Sequence, residues 1–473
     1  MSKPSAPKTD LLRHELSEAL SRAGFASDQV AAAAELRGCY GYDATRQTAE
    51  PLLAVLPEDE GQVETVLQLA TEHGLDIYPR GAGSGMSGGA IPDTNGIVLS
   101  LTRMKQILEI DRENMTTLVE PGVICGELQE AVAEHGLFYP PDPASLAFAT
   151  IGGNVAENAG GPRAVKYGVT ADYVMGLEAY LVDGRRIRTG NKCIKSVSGY
   201  DLTRLLVGSE GTLAVITKIL LKLVPAPEAV RTMLLAFASM TRAAEAIDTM
   251  FRNQVVPATI EFLDRHSLNA VRAGLPFTLP EAADTLLLVE VDGSRDEVEI
   301  LQQRISRLFQ DEALLLLEAR DAAAREQLWS ARRRLSPAIA NLAPHKLNED
   351  IAVPRAAIPE VIARLEKLSA AIGLPIVCFG HAGDGNIHVN VMLDKNDPDQ
   401  AARGARAVDE IFAITLALGG TLSGEHGIGN TKSAWFDREW DSATIAAMKA
   451  VKNAFDPENR LNPGKIFPAA KKL

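Results

Sequence analysis

Pro79-Arg80-Gly81-Ala82-Gly83-Ser84-Gly85-Met86-Ser87-Gly88-Gly89 places five glycines within nine residues, and Gly83-Ser84-Gly85-Met86-Ser87-Gly88 satisfies G-x-G-x-x-G. In a Rossmann dinucleotide fold a helix begins directly after these glycines, because its N-terminus holds the pyrophosphate. Here Ala90-Ile91-Pro92-Asp93-Thr94-Asn95-Gly96 follows, which is a turn leading into an apolar strand. That context excludes the Rossmann arrangement. It leaves a loop between two strands, in which small residues let successive backbone N–H groups point inward as an anion nest, with Arg80 or Ser84 beside it. Taken alone, a tight structural turn is the lesser reading of this loop.

Two further stretches weigh against that plain reading. Tyr139-Pro140-Pro141-Asp142-Pro143 runs toward Ala149-Thr150-Ile151-Gly152-Gly153-Asn154-Val155-Ala156-Glu157-Asn158-Ala159-Gly160-Gly161. This reads as an extended segment and glycine loop, where a planar ring can lie close to backbone. Gly208-Ser209-Glu210-Gly211-Thr212-Leu213-Ala214-Val215-Ile216 is a third glycine turn, ahead of an apolar strand. Periodicity predicts one amphipathic helix from Leu11 to about Leu36 and helices at Gln62 to His73 and Gly126 to His135. Strands are expected at Leu52 to Pro57, Ile77 to Pro79, Gly96 to Leu101, Thr117 to Val119, Val174 to Val182 and Leu213 to Leu223. The texture changes at Pro225-Ala226-Pro227, after which longer helical stretches alternate with strands at Met233 to Phe237 and Thr285 to Val291. A domain boundary is placed there, and 473 residues suffice for roughly three units of about 150.

With 46% hydrophobic and 23% charged residues the chain is ordinary globular material, which excludes disorder, a collagen repeat and a disulfide scaffold. The net charge of −13 disfavours nucleic acid and anionic lipid as partners, so an anionic small substrate needs a local basic pocket. Cys39, Cys125, Cys193 and Cys378 are scattered without a C-x-x-C pair, so the thiols read as reduced and no iron–sulfur cluster is expected in this chain. No apolar run approaches the roughly 18 residues of a membrane span. Lys3, Lys8 and Arg13 are offset by Asp10, Glu15 and Glu18 with no apolar run behind them, which predicts a cytoplasmic protein.

Together the three glycine segments resemble the FAD-binding domain of the vanillyl-alcohol-oxidase flavoprotein superfamily. Their order and spacing are similar to its D-lactate dehydrogenase and glycolate oxidase large-subunit branch, over nearly the whole chain. The resemblance implies an α+β protein: an N-terminal helical segment (1–47), a two-part FAD-binding domain (48–226), and an α/β substrate and metal domain (227–473) with C-terminal helices returning to the FAD domain. It implies that Arg80, Gly81, Ala82, Gly83, Ser84 and Gly85 hold the pyrophosphate. Pro141, Asp142, Gly153, Asn154, Gly160 and Gly161 would flank the flavin, while Glu210, Gly211, Ile216 and Asn462 approach the rest of FAD. Members with covalent flavin often carry His in the first loop, where this chain has Ser84, so non-covalent FAD is expected.

Of only 8 His, two stand seven apart around a glycine turn in Gly380-His381-Ala382-Gly383-Asp384-Gly385-Asn386-Ile387-His388. A loop that folds back into an alternating strand from Ile387 to Val391 can aim both imidazoles at one point, and Gly424-Glu425-His426-Gly427 adds a carboxylate beside another His. Two His and one Glu with an open position suit zinc, and also manganese or iron. Read singly, each His is an ordinary polar residue on a turn; read together, His381, His388 and Glu425 form a candidate metal site. Asp384 reads as a turn carboxylate. For a substrate carboxylate, Trp329-Ser330-Ala331-Arg332-Arg333-Arg334 and Lys346 offer a fork and a point charge, with Arg333 and Arg334 equally readable as a solvated face.

The resemblance assigns His381, His388 and Glu425 to a divalent metal and His426 to the general base. It places Arg332, Ser336, Lys346 and Asn390 around the substrate. The activity it implies is flavin-dependent oxidation of a D-2-hydroxy acid of the lactate, glycolate or 2-hydroxyglutarate type to the 2-oxo acid. Alternatives are a flavin subunit of a multi-subunit glycolate oxidase-type complex, in which any iron–sulfur relay or electron-acceptor protein is a partner and this chain is peripheral to the inner membrane, or an alcohol or sugar-lactone oxidase on the same fold. A homodimer is a further expectation.

Overall fold

The computed structural model of the protein describes residues 6–92 and 96–467. Asp93, Thr94 and Asn95 of the expected turn, and Lys3 of the N-terminal charge pattern, lie outside the described residues. The chain divides into two compact units: Met1–Gly160, Val169–Ala226 and His426–Leu473 form the first, and Gly161–Gly168 with Pro227–Glu425 form the second. Residues 426–473, grouped with the second domain in the sequence reading, thus count with the first unit.

In the first unit the helix expected from Leu11 to about Leu36 is two helices, Ala6–Arg22 and Ala34–Gly38, with β1 (Val30–Ala31) between them. The stop is local. Gly24 takes φ 93° and the Phe25 N–H donates to Leu20 O at 3.1 Å, a glycine-closed helix end that an apolar period running on past it conceals. With β2 (Leu53–Val55), β3 (Ile77–Arg80) and β4 (Ile97–Ser100) the order is β1-β2-β4-β3, and both β2 and β3 run parallel to β4. The helix Glu60–Glu72, capped by the Asp59 side chain accepting from Gln62 N, buries Val63, Val66, Leu67 and Ala70. These side chains share a core with Leu16, Leu20, Leu53, Ile77 and Leu99. A second, antiparallel sheet has the order β5-β6-β9-β7-β8, from β5 (Ile107–Asp111), β6 (Thr116–Val119), β7 (Val174–Tyr180), β8 (Arg186–Gly190) and β9 (Val215–Lys222).

The segment after Thr150, expected to be a glycine loop, is instead the helix Ile151–Glu157. Thr150 caps it by accepting from Gly153 N, and Asn158 ends it at φ 53°. One cap at each end is enough to fix fewer than two turns despite Gly152 and Gly153 inside.

The second unit is built on a seven-stranded sheet: β10 (Ala229–Phe237), β11 (Thr259–Leu263), β12 (Thr285–Gly293), β13 (Leu315–Glu318), β14 (His345–Ala352), β15 (Ile376–His381) and β16 (Asn386–Leu393). Its order is β13-β10-β12-β11-β15-β16-β14. Strand alternation sorts the side chains. Leu347 and Leu393 stand against Gly404 of the helix Pro398–Ala417, so even-numbered Lys346, Asn348, Asp350, His388 and Asn390 take the other face. Register carries the pattern across the sheet: Asp350 lies opposite His388, His381 opposite Asn386, and Glu261 opposite His381. A polar row thus crosses one face of the sheet. Among the described residues no helix is long and apolar enough to cross a membrane.

Candidate active site

The glycine loop connects β3 to β4, and backbone forms most of its surface. A Cβ on Gly81 would stand 2.3 Å from Thr150 Oγ1, and Gly83, at φ 70°, carries the Arg80 guanidinium where a Cβ would be. Arg80 is tied by Nη1 to Tyr42 O at 2.6 Å. Ala82, Ser84 and Gly85 lie half-buried along the loop, with open space at Gly85. The other two glycine segments meet it. Gly153 lies beside Gly81, Glu210 N donates to Ala156 O, Gly211 stands against Pro79, and Asn462 Nδ2 donates to Gly89 O and Glu210 O.

Asn154 Nδ2, Glu157 Oε2 and Asn462 Oδ1 are buried polar atoms without a protein partner, which fits a polar ligand lying against the helix Ile151–Glu157. Burial pushes the Glu157 carboxyl well above the usual range, and neighbouring Glu210 and Asp43 push it further. The Glu210 side chain itself faces the loop that follows His426, accepting from Ile428 N at 2.8 Å and Gly429 N at 2.6 Å. Pro141 is buried beside Cys125, and Asp142 is half-buried. Ile216 sits in β9 opposite Ala179. Gly160 closes its segment of the first unit, and Gly161, at φ 142°, opens the excursion Gly161–Gly168 assigned to the second.

In the second unit His381 ends β15 and His388 lies in β16, with Gly385 at φ 91° in the turn between them. Their rings cross at 86° with centroids 5.3 Å apart. His381 Nε2 is 3.8 Å from Glu425 Oε2, and His388 Nε2 is 3.7 Å from Glu425 Oε1. These separations exceed hydrogen bonds and leave room for an ion with ligand distances of about 2.0–2.2 Å. Each Nδ1 is turned to a buried carboxylate, that of His381 to Glu261 and that of His388 to Asp350 at 3.7 Å. This is the outer-layer arrangement that orients metal-binding imidazoles. Burial alone would pull His381 down, but the Glu261 and Glu425 carboxylates hold it well above its ordinary range. Burial likewise pushes Glu425 up, and His381 and His388 bring it below its ordinary value.

Asp350, His388 and Glu425 each present an atom within 4.8 Å of the others, so distance alone admits Asp350 as a ligand. Its hydrogen bonds argue otherwise. Oδ2 accepts from Ser423 Oγ, Gly424 N and Glu425 N at 3.2, 2.9 and 2.8 Å, and Oδ1 accepts from Asn386 Nδ2. Asp350 therefore holds the loop that carries Glu425. His426 is the next residue in the chain and opens the return segment of the first unit.

Around this centre, Asn390 is fully buried and its Oδ1 has no partner. Arg332, in the helix Ala322–Arg333, bonds Glu261 Oε2 through Nε at 2.7 Å and lays its guanidinium 4.5 Å over the Phe379 ring. Lys346 is half-buried on the same sheet face as Asp350 but four residues away, about 13 Å along the strand. Ser336 is exposed on the short helix Leu335–Ile339, away from the buried face formed by Leu335 and Ile339. Arg333 pairs with Glu326 at the surface, and Arg334 donates to Gly274 O. Asp384 accepts from Asn386 N as a turn residue, and burial pushes its carboxyl up to about 6.

Glu261 and Asp350 are residues that motif reading missed. Glu261 carried a usable signal, being the one charge in the apolar strand Thr259-Ile260-Glu261-Phe262-Leu263.

Comparisons with known proteins identify the family and the fold. The family model described as "FAD binding domain" matches residues 51–190, and "FAD linked oxidases, C-terminal domain" matches residues 226–466. The glycolate oxidase subunit GlcD of Bacillus subtilis is 43% identical over 430 residues, covering 90% of this chain and 92% of that protein. A D-lactate dehydrogenase of Archaeoglobus fulgidus is 35% identical over 422 residues, 89% of this chain and 92% of that one. The structure of p-cresol methylhydroxylase with substrate bound matches with a TM-score of 0.78 at 19% identity, covering 96% of this chain and 97% of that one. The fold is α+β with an FAD-binding domain of the vanillyl-alcohol-oxidase type, and the chain belongs to the FAD-linked oxidases, as an FAD-dependent oxidoreductase.

Proposed function

We propose that this FAD-linked oxidase oxidises a D-2-hydroxy acid to the 2-oxo acid at a divalent metal held by His381, His388 and Glu425. The observation that carries the reading is the convergence of two Nε2 atoms on the two oxygens of Glu425, at 3.8 and 3.7 Å, with each Nδ1 backed by a buried acid. The glycolate oxidase and D-lactate dehydrogenase relatives support the substrate class. Zinc suits the donor set, with manganese or iron as alternatives.

When bound, the ion would supply acidity to the substrate hydroxyl and a fixed anchor for it, and FAD, held without a covalent link, would supply the hydride acceptor at N5. Arg80 and the 81–85 backbone bind the pyrophosphate, while Gly153, Asn154 and Glu210–Gly211 border the rest of the cofactor. Arg332 commits only Nε to Glu261 and so can turn its terminal nitrogens to the substrate carboxylate, a charge-assisted contact. Asn390 offers its unpaired Oδ1, and Lys346 adds positive charge further along the same face. His426, beside the ligand Glu425 in the chain, takes the hydroxyl proton.

Anaerobic mixing with a panel of D- and L-2-hydroxy acids tests this directly. Bleaching of the flavin by at least one D-acid, and not by its L-form, is expected; a flavin that stays oxidised with every acid contradicts the reading. A second reading, a flavin subunit of a larger complex, is favoured by the subunit relative and by the absence of clustered cysteines from this chain. The isolated chain reducing an artificial dye with the same acid would argue against it.

A further inference from the structure

We propose that Glu261 is a positioning residue that fixes His381 and Arg332 relative to each other, so that the metal-side imidazole and the substrate-side guanidinium are held at one separation. This rests on the reading above. Glu261 is fully buried in β11, between β12 and β15 in the sheet order. Its two oxygens serve different partners: Oε1 meets His381 Nδ1, and Oε2 accepts from Arg332 Nε at 2.7 Å. With an imidazole nitrogen on one oxygen and a guanidinium on the other, the carboxylate bridges two donors.

A buried charge is a poor way merely to glue a helix to a sheet, since well-packed apolar residues do that as well or better. The same helix already has such an attachment. Glu290, on β12, accepts from Arg325 Nε at 2.6 Å and from Trp329 Nε1 at 2.8 Å, and it also takes Thr232 Oγ1. Arg325, Trp329 and Arg332 follow helical spacing on one face, so both acids anchor one helix to one sheet face. The two acids differ in what they hold. The partners of Glu290 lie outside the candidate site, whereas both partners of Glu261 belong to it. Glu290 is therefore an internal control for purely structural anchoring.

Glutamine at position 261 has one acceptor oxygen and can satisfy His381 or Arg332, but not both. Equilibrium dialysis with Zn²⁺ and Co²⁺, together with steady-state kinetics on the D-2-hydroxy acid that bleaches the flavin, would compare wild type, Glu261→Gln and Glu290→Gln in the full chain. Glu261→Gln is expected to bind the ion 10- to 100-fold more weakly. It is also expected to raise KM about tenfold or more, with FAD content retained and melting no lower than that of Glu290→Gln. Combined with Arg332→Ala, Glu261→Gln should raise KM by less than the product of the two separate increases, because the Arg332 contact is shared while the His381 contact is not. Unchanged ion affinity and KM in Glu261→Gln, or the same two losses in Glu290→Gln, would overturn the proposal alone. A wild-type protein that binds neither ion would overturn the metal reading and this proposal with it. If Glu261→Gln does not fold, Glu261→Asp keeps the charge but draws it back by a methylene; it should show the same losses, and wild-type values there overturn the proposal.

Discussion

The glycine loop and the histidine centre are built on opposite principles. The loop at 81–89 presents backbone, so its chemistry depends on what is missing: a side chain at Gly81 would collide with Thr150, and Gly83 needs a left-handed φ of 70°. The histidine centre presents side chains, and its chemistry depends on strand register, which puts His381, His388, Glu261 and Asp350, from three separate stretches of chain, on one face of a sheet. A backbone site is broken by adding atoms and a side-chain site by removing them. The two should fail independently.

The largest effect should come from Gly81→Val, which fills the cradle against Thr150 and Gly153. The purified protein should be colourless and inactive, with Zn²⁺ binding retained; a yellow, active variant would show that the loop does not hold the cofactor. Next is His426→Ala, expected to keep both FAD and ion while flavin reduction by the D-acid slows by roughly 10² or more, the usual contribution of a general base. His388→Ala should instead lose the ion and substrate affinity together. Metal analysis separates the two variants before any kinetics, and an ion lost from His426→Ala but kept in His388→Ala would reverse the assignment.

A smaller effect is expected at Glu210, whose carboxylate accepts two backbone N–H groups of the loop after His426. Glu210→Gln keeps one acceptor and should lower stability by about 1.5–3 kcal/mol, read as a lower Tm and faster hydrogen exchange at 428–429, with flavin absorbance retained. The smallest is a pH effect at Glu290. Burial pushes its carboxyl up, but Arg325 wins and holds it below the ordinary 4.5. Its stabilisation is therefore fully present above about pH 4.5 and is lost as pH falls through the lower folded value. Glu290→Gln should flatten the acid side of the stability curve, and an unchanged acid limb would show that the pair contributes nothing there.

How well each region could be read from sequence follows from the same contrast. The glycine loop is contiguous, and the missing helix after it already separated this nest from a Rossmann turn. The hairpin carrying His381 and His388 was readable for the same reason, with both residues and their turn inside nine positions. The glycine segment after Thr150 was misread because Gly152 and Gly153 argue against a helix one residue at a time, whereas a cap at each end decides it. Glu261 and Asp350 could not be tied to the histidines because β11 and β14 are brought to β15 and β16 only by tertiary pairing. Asp350, in Asn348-Glu349-Asp350, looks like an exposed acidic patch until strand alternation turns it inward. Ser336 shows the converse: a position carried over from the family can lie on the exposed side of its helix.

The most direct measurement is anaerobic flavin reduction by a D-2-hydroxy acid, before and after prolonged chelation and again after the ion is returned, with metal content and flavin absorbance followed in each sample. The account predicts that the stripped protein keeps its full flavin spectrum, loses reduction by the acid, and regains it on addition of Zn²⁺, Mn²⁺ or Fe²⁺. A verified metal-free sample whose flavin is still reduced at the original rate would contradict it.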